Sequence, residues 1–276
     1  MGRINIFYSV DNKLFIQQLV SLISLAHTTK EPLNVVNLTL QIPEIAKKGK
    51  MTTIAQTKLF NDVLKEANND STYTTVDVSK EFREELLKGP NMQNKYYSYF
   101  VVTRLLGDLV KEIPDEKVIW LDSDTIMIND IKELFDIDLN GAEIAGRKDK
   151  GRIFNYFQSG VMLMDMKKIR ETGMLKRARE LVTTKKYICY IDMSALNTAT
   201  KKKVMLNKKF NSFKYDKDAV VHHVCDTREG KILFTKKWWH RIKTDEVEFM
   251  RKIYLEYAYI YDKIEEYKIS HKEAFE

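Results

Sequence analysis

Cysteine, proline and glycine are all scarce in this sequence. Only two cysteines, Cys189 and Cys225, occur in 276 residues, which excludes a disulfide framework and the paired cysteines of a zinc site. Four prolines and ten glycines are too few for a fibrous or linker-rich chain. No apolar run reaches the ~18 to 20 residues that span a bilayer. These absences predict a compact globular protein in a reducing environment.

The amino-terminal stretch lacks the features of exported proteins. Residues 1–13, MGRINIFYSVDNK, contain neither the apolar core nor the small-residue cleavage site of a secretory signal. We therefore expect a cytoplasmic location.

Positive charge is in modest excess. The chain has 46 lysines and arginines against 39 acidic residues, a net charge of +7, which favours anionic ligands. Nucleic acid, an anionic membrane and a phosphorylated small molecule all fit that charge. The basic residues are dispersed and form no concentrated stripe on a helix, so we expect no nucleic-acid partner.

Strands and helices alternate in the first half of the sequence. Apolar patterns predict strands at residues 3–10, 33–40, 72–79 and 117–121, and helices at 12–29, 51–69 and 96–110. This order predicts an α/β fold with a mostly parallel, Rossmann-like sheet and right-handed crossovers. Ligands of such sheets bind outside the carboxyl ends of the strands.

The second half is less regular. Its patterns predict strands at residues 142–148, 159–166 and 219–224, a helix at 167–182, and a helical tail from Asp245. We expect one main domain over residues 1–243 and a C-terminal helical extension over residues 244–276.

The segment KVIWLDSDTIMIND, residues 117–130, carries the strongest chemical signal. A buried strand here runs directly into Asp122 and Asp124. In extended backbone residues i and i+2 point the same way, so both carboxylates can face one point while Ser123 faces elsewhere. Paired carboxylates suit Mn²⁺ or Mg²⁺, which commonly bind the phosphates of a nucleotide as well. The bare pattern also fits an acidic turn that merely ends a strand.

Several segments resemble the family 8 glycosyltransferases, the group that contains glycogenin and bacterial lipopolysaccharide galactosyltransferases. The segment KVIWLDSDTIMINDIKELFDIDL is similar to the family's Asp-x-Asp region, and further similar segments extend in the same order from about residue 3 to residue 240. The resemblance implies a GT-A nucleotide-sugar-binding fold. It also implies retention of anomeric configuration and a manganese ion held by the Asp-x-Asp motif and a distant histidine.

The resemblance also implies roles for individual residues. Asp122, Asp124 and His223 map onto the metal ligands, and His223 is preferred to its neighbour His222 because it stands nearest the family's spacing. The positions that map onto the donor nucleotide and its sugar are Tyr8, Val10, Asp11, Asn12, Arg104, Ser123, Ser159, Gly160 and Lys231. Asp192, Gln158 and Met193 map near the reacting sugar carbon. Without the resemblance, Asp11 and Asn12 would also be typical N-cap residues of a helix. Arg104 would be an ordinary charged residue on the solvent-facing side of a helix.

Two departures from the family pattern bear on activity. Met193 stands where the family commonly has a glutamine beneath the anomeric carbon, and a thioether donates no hydrogen bond. Gln158 could supply that amide instead. In the segment HHVCDTREGKILF, Lys231 lies two residues further from His223 than usual, and Arg228 is an alternative phosphate ligand.

The C-terminal part has two interpretations. Residues 236–243, KKWWHRIK, combine basic residues with Trp238 and Trp239, which suits either contact with an anionic membrane surface or packing of the last helix. Tyr254, Tyr257 and Tyr261 share a helical face that docks on the domain or on a second subunit, so a homodimer is one expectation.

Three functions fit the sequence. The first is a metal-dependent transferase that moves a hexose from UDP-glucose or UDP-galactose to a hydroxyl of a glycan, a lipid-linked saccharide or a protein. The second is a nucleotide-sugar or glycan-binding protein with weak catalysis, which Met193 favours. The third is a nucleotidyltransferase of related fold, which the absence of glycine from the YSVDNKLF segment disfavours.

Overall fold

The structure is a computed structural model that describes residues 2–47, 49–93, 99–149, 155–185, 190–224 and 255–276. The strands are β1 (Ile4–Ser9), β2 (Leu33–Thr39), β3 (Thr72–Asp77), β4 (Lys117–Leu121), β5 (Thr125–Met127), β6 (Ile144–Lys148), β7 (Phe157–Asp165), β8 (Lys203–Leu206) and β9 (Val221–His223). The helices are α1 (Phe15–Thr28), α2 (Ile54–Ala67), α3 (Ser79–Glu85), α4 (Phe100–Thr103), α5 (Lys132–Phe135), α6 (Met166–Thr172), α7 (Met174–Thr184), α8 (Ile191–Ala199), α9 (Ala258–Ser270) and α10 (Lys272–Phe275). None of the helices within these ranges is long and apolar enough to cross a bilayer.

Seven strands form the central sheet, in the order β3-β2-β1-β4-β7-β6-β8. Strands β3, β2, β1 and β4 are parallel, and β7 runs antiparallel to both β4 and β6. The predicted α/β fold with a mostly parallel sheet is therefore confirmed. The sequence did not predict β5 or β8, and β5 pairs with β9 in a separate two-stranded sheet.

The two faces of the sheet bury two apolar layers. Strand β1 shows the alternation, since Ile6 and Tyr8 pack in the layer under α1 and α2 while Phe7 packs in the opposite layer. A capping box between Thr53 and Gln56 fixes the start of α2. These layers hold β1 and β4 rigidly side by side.

The C-terminal helix belongs to the first of these layers. Tyr257 and Tyr261 are buried there, and α9 packs against α1. This is the docking on the domain that the sequence offered as one alternative. The expected boundary at residue 243 and the segment 236–243 lie outside the described residues.

Two predicted helices differ from the structure. The helix expected at residues 167–182 is α6 followed by α7, because Gly173 adopts a left-handed conformation with φ 66° between them. Within the helix expected at 96–110, α4 is one short turn that continues as a 3-10 turn over Arg104–Leu109.

Candidate active site

A cleft of about 410 Å³ opens beyond the carboxyl ends of β1 and β4. Its lining residues are Ser9, Asp11, Lys13, Leu14, Gln17, Tyr99, Phe100, Val101, Arg104, Trp120, Asp122, Ser123 and Asp124. The adjacency of β1 and β4 in the sheet brings Asp11 to the same cleft as the two aspartates. The position agrees with the rule that ligands of α/β sheets bind at strand ends.

Asp122, Asp124 and His223 converge at this cleft. One ligand atom from each lies within 4.8 Å of the others. The His223 Nε2 atom lies 3.2 Å from Asp124 Oδ1 and 3.8 Å from Asp122 Oδ2. Pairing of β5 with β9 places His223 opposite Thr125, immediately after the Asp-x-Asp segment. His222 points away, and its Nδ1 lies 2.6 Å from the Tyr257 hydroxyl.

The electrostatics of this cluster suit a divalent cation. Burial raises the pKa of Asp122 to about 6. The positive charge of Arg104 lowers this pKa, and the negative charge of Asp124 raises it further. Burial also opposes ionisation of Asp124, but the adjacent His223 outweighs it and holds the pKa of Asp124 below its usual range. Two carboxylate oxygens and an imidazole nitrogen form a donor set that Mn²⁺ accepts, and a cation would stabilise both carboxylates in the ionised form.

Arg104 is a buried part of the site rather than a solvated helix charge. Its guanidinium donates to Asp122 Oδ1 at 2.7 Å and to the Ser159 carbonyl oxygen at 2.6 Å, and lies 4.3 Å from the centre of the Trp120 ring. Asp192 Oδ2 is 3.5 Å from Arg104 and accepts a 2.9 Å hydrogen bond from Ser159 Oγ. Arg104 therefore connects the Asp-x-Asp segment with Asp192.

Three of the predicted donor-binding positions present no side chain to the cleft. The Tyr8 side chain is fully buried beneath the sheet with its hydroxyl against Ser21, and the Val10 side chain is also in the core, so neither lines the cleft. At Gly160 the space left by the missing side chain is filled by the His223 ring, since a Cβ there would lie 2.0 Å from His223 Cε1. The sequence had assigned that space to the sugar.

The remaining predicted positions have varied surroundings. Asp11 lines the cleft and also caps the turn that follows, accepting from the Lys13 amide at 3.0 Å. Ser123 lines the cleft as well, and its hydroxyl donates to Gln17 Oε1 at 3.1 Å. Asn12 is half-buried beside the cleft.

On the sugar side, Gln158 is half-buried on β7 and Met193 is buried on α8. Lys231 and Arg228 lie outside the described residues.

Sequence reasoning missed several residues of the site, among them Gln17 and Asn211. Gln17 lines the cleft beside Ser123. Asn211 contacts His223 at Nδ1, the ring nitrogen that does not face the two aspartates. The spacing of apolar residues predicted the helix that carries Gln17, but it did not indicate that the Gln17 side of this helix lines the cleft. Nothing in the pattern around Asn211 pointed to the site.

The seven-stranded sheet with an acidic cleft at its strand ends is the fold of the GT-A type. The sequence profile of glycosyl transferase family 8 matches residues 5–242, so the chain belongs to that family.

Solved structures share the fold. The galactosyltransferase LgtC, solved with donor and acceptor sugar analogues, aligns with a TM-score of 0.61 at 19% identity, over 81% of this chain and 87% of LgtC. The glycosyltransferase GlyE of Streptococcus pneumoniae aligns with a TM-score of 0.61 at 17% identity, over 95% of this chain and 63% of GlyE.

Two of the similar sequences are named as glycosyltransferases. Glycosyltransferase GlyF of Streptococcus pneumoniae is 30% identical over 133 residues, which cover 46% of this chain and 31% of GlyF. A putative glycosyltransferase of Haemophilus influenzae is 26% identical over 176 residues, covering 53% of this chain and 50% of that protein. The aligned regions thus span half or less of these two relatives.

Proposed function

We propose that this protein is a metal-dependent, retaining glycosyltransferase that moves a hexose from a UDP-sugar to an acceptor hydroxyl. The observation that supports this most directly is the convergence of Asp122, Asp124 and His223 within 4.8 Å at the cleft beyond β1 and β4. Retention and the uridine nucleotide follow from the family resemblance.

Asp122, Asp124 and His223 would hold Mn²⁺, and the same donor set accepts Mg²⁺. A bound divalent ion stabilises the negative charge that develops on the diphosphate as the sugar–phosphate bond breaks. Arg104 keeps Asp122 oriented through its 2.7 Å hydrogen bond. Lys231 is the proposed cationic partner of the phosphates.

Asp192 is the proposed polar group beside the reacting sugar. Its carboxylate is held by Ser159 and by Arg104, whose guanidinium also binds Asp122. A fixed carboxylate stabilises the positive charge that develops on the sugar ring. Met193 cannot supply the amide that the family commonly has next to this aspartate, and Gln158 is the proposed substitute.

Asp11, Asn12 and Ser123 would contact the base and ribose of UDP-glucose or UDP-galactose, since Asp11 and Ser123 line the cleft beside the metal ligands. The acceptor hydroxyl would belong to a glycan, a lipid-linked saccharide or a protein. A cytoplasmic location, peripheral membrane contact through residues 236–243 and a homodimer stay predictions from the sequence.

UDP release from a panel of UDP-sugars, with and without Mn²⁺, tests the proposal. We expect manganese-dependent release from one donor, and a loss of about 100-fold or more in Asp124→Asn, because that variant removes a ligand charge where phosphate charge develops. Asp70→Asn, a change at an exposed position, is the matched control and should retain full activity.

Two other outcomes would count against transfer. Metal-dependent binding of UDP-sugars without release of UDP, across a panel of acceptors, would favour the nucleotide-sugar-binding protein that Met193 suggests. Absence of both metal and UDP binding would contradict the proposed site altogether.

A further inference from the structure

His223 makes a contact on the side of its ring that faces away from the cleft. Its Nδ1 atom lies 3.0 Å from Asn211 Oδ1, while its Nε2 atom faces Asp124 and Asp122. We propose that Asn211 is a positioning residue that fixes the ring orientation and the tautomer of His223 for binding a divalent cation. The inference rests on the metal site proposed above.

The chemistry of the pair sets the tautomer. An amide oxygen only accepts hydrogen bonds, so with Oδ1 facing the ring the proton of a neutral His223 sits on Nδ1. Nε2 is then the nitrogen left to bind a cation that lies between the imidazole and the carboxylates of Asp122 and Asp124. Histidine ligands of metals usually donate their other N–H to an oxygen in this way, and loss of such a partner typically costs 10–100-fold in metal affinity.

Burial makes the contact specific. The Asn211 side chain is fully buried, and a competing water has no access to it from solvent. Within the described part of the chain its Nδ2 atom has no hydrogen-bond partner. The side-chain amide therefore makes its hydrogen bond through Oδ1, to His223. Retaining a buried, half-satisfied amide costs stability, which is consistent with a functional reason for its presence.

The backbone next to Asn211 is hydrogen-bonded to β9. Asn211 ends a 3-10 turn over Lys208–Asn211, and the Ser212 amide donates to the Val221 carbonyl oxygen at 2.8 Å. In return the His223 amide donates to the Ser212 carbonyl oxygen at 2.7 Å. These two hydrogen bonds join the segment that carries Asn211 to the strand that carries His223.

Neighbouring groups restrict the ring on its other sides. Gly160 leaves just enough space for the imidazole, and the Phe213 ring stands edge-on to it with centroids 5.8 Å apart. The opposite orientation of the Asn211 amide would direct Nδ2 at the ring, move the proton to Nε2 and block the cation. Experiments can distinguish these two orientations.

Manganese titration of matched variants, followed by electron paramagnetic resonance of free Mn²⁺, tests the role of Asn211. Asn211→Asp keeps an acceptor oxygen at the same place, and we expect its affinity to stay within a few fold of the wild type. Asn211→Leu removes the acceptor, and we expect binding to weaken about 10–100-fold. Asn207→Leu is the control, because Asn207 caps the same turn by accepting from the Lys209 amide. It should leave manganese affinity unchanged.

Nitrogen-15 NMR of histidine-labelled wild-type protein gives a second readout that does not depend on a substitution. With diamagnetic Mg²⁺ bound, we expect a proton on Nδ1 of His223 and none on Nε2, and an unprotonated Nδ1 would overturn the proposal. If the folded Leu variant binds Mn²⁺ as tightly as the wild type, the role of Asn211 fails while the metal site stands. If the wild type binds no Mn²⁺, both the metal site and the role of Asn211 fail.

Discussion

At the scale of single residues, the site depends on a glycine as much as on its charged groups. A Cβ at position 160 would lie 2.0 Å from His223 Cε1 and 2.5 Å from His223 Nδ1, well inside van der Waals contact. The strands β7 and β9 thus approach each other closely only because residue 160 has no side chain. We therefore expect the affinity of the proposed metal site to depend on that close approach.

Gly160→Ala should therefore disable the metal site. The imidazole must leave its position or β7 must shift, and either change removes a ligand, so we expect manganese affinity to fall by at least about tenfold. Titration of Mn²⁺ into the purified variant measures this.

A double-mutant cycle supplies the control for that prediction. In a His223→Ala background the clash is gone, so adding Gly160→Ala should change neither manganese affinity nor the free energy of unfolding appreciably. If Gly160→Ala lowered manganese affinity or the free energy of unfolding equally in both backgrounds, the alanine would act somewhere other than at His223.

The residues of the site differed in how far sequence could reveal them. Asp122 and Asp124 were evident because both directly follow one strand, but the structure has a turn at Ser123 and Asp124 instead of the extended backbone assumed from the sequence. His223 was found through the family's spacing. The real partner of Gly160 was not predictable, because it depends on how β7 and β9 meet in three dimensions, and residues far apart in sequence carry no local sign of their contact.

At the scale of elements, the junction of α6 and α7 shows where periodicity misleads. The apolar pattern continues through residues 167–182, so it predicted one helix. The chain instead turns at Gly173, whose φ of 66° is a left-handed conformation typical of the residue after a helix. The spacing of apolar residues does not reveal the turn at Gly173, because α7 also buries an apolar face against the same core as α6.

Substitution at Gly173 should cost stability through the backbone alone. Nothing lies within 4 Å of a Cβ built there, so steric contact with neighbours is not at issue. We expect Gly173→Ala to lower the free energy of unfolding by about 1 kcal/mol. Gly173→Asn should cost less, because asparagine tolerates this region, as Asn140 does here with φ 49°. Urea denaturation of the two variants measures the difference, and equal stability of both with the wild type would contradict the assignment.

At the scale of the whole molecule, the alternation of strands and helices was enough to predict the α/β fold, because each parallel strand needs a covering helix. A strand was predicted where β9 lies, but the small β5–β9 sheet was missed because β5 is only three residues long and follows β4 almost directly. The pairing of β5 with β9 brings His223 beside Asp124, so the element hardest to see in the sequence is one that completes the site.

One buried carboxylate connects several parts of the second half of the chain. Glu143, at the start of β6, accepts hydrogen bonds from Thr172 Oγ1 at 2.6 Å and from the Lys201 amide at 2.7 Å, and pairs with Arg177 at 3.3 Å. It thereby links the central sheet with α6, α7 and the turn after α8. Burial opposes its ionisation, but these donors outweigh burial and hold the pKa of Glu143 below its ordinary value.

That lowered pKa predicts the direction of a pH dependence. Below about pH 4.5 the unfolded chain binds a proton at Glu143 more readily than the folded chain does, so this contribution to stability is present above that pH and is lost as the pH falls. Glu143→Gln should lower the free energy of unfolding by about 2 kcal/mol at neutral pH, because a neutral amide replaces a carboxylate that accepts charged and backbone donors. The deficit should shrink in acid, where the wild type loses the same interaction. Urea denaturation at neutral pH and near pH ~3.5 tests this, with exposed Glu84→Gln as the control. A deficit that stays constant with pH would show that ionised Glu143 does not stabilise the fold.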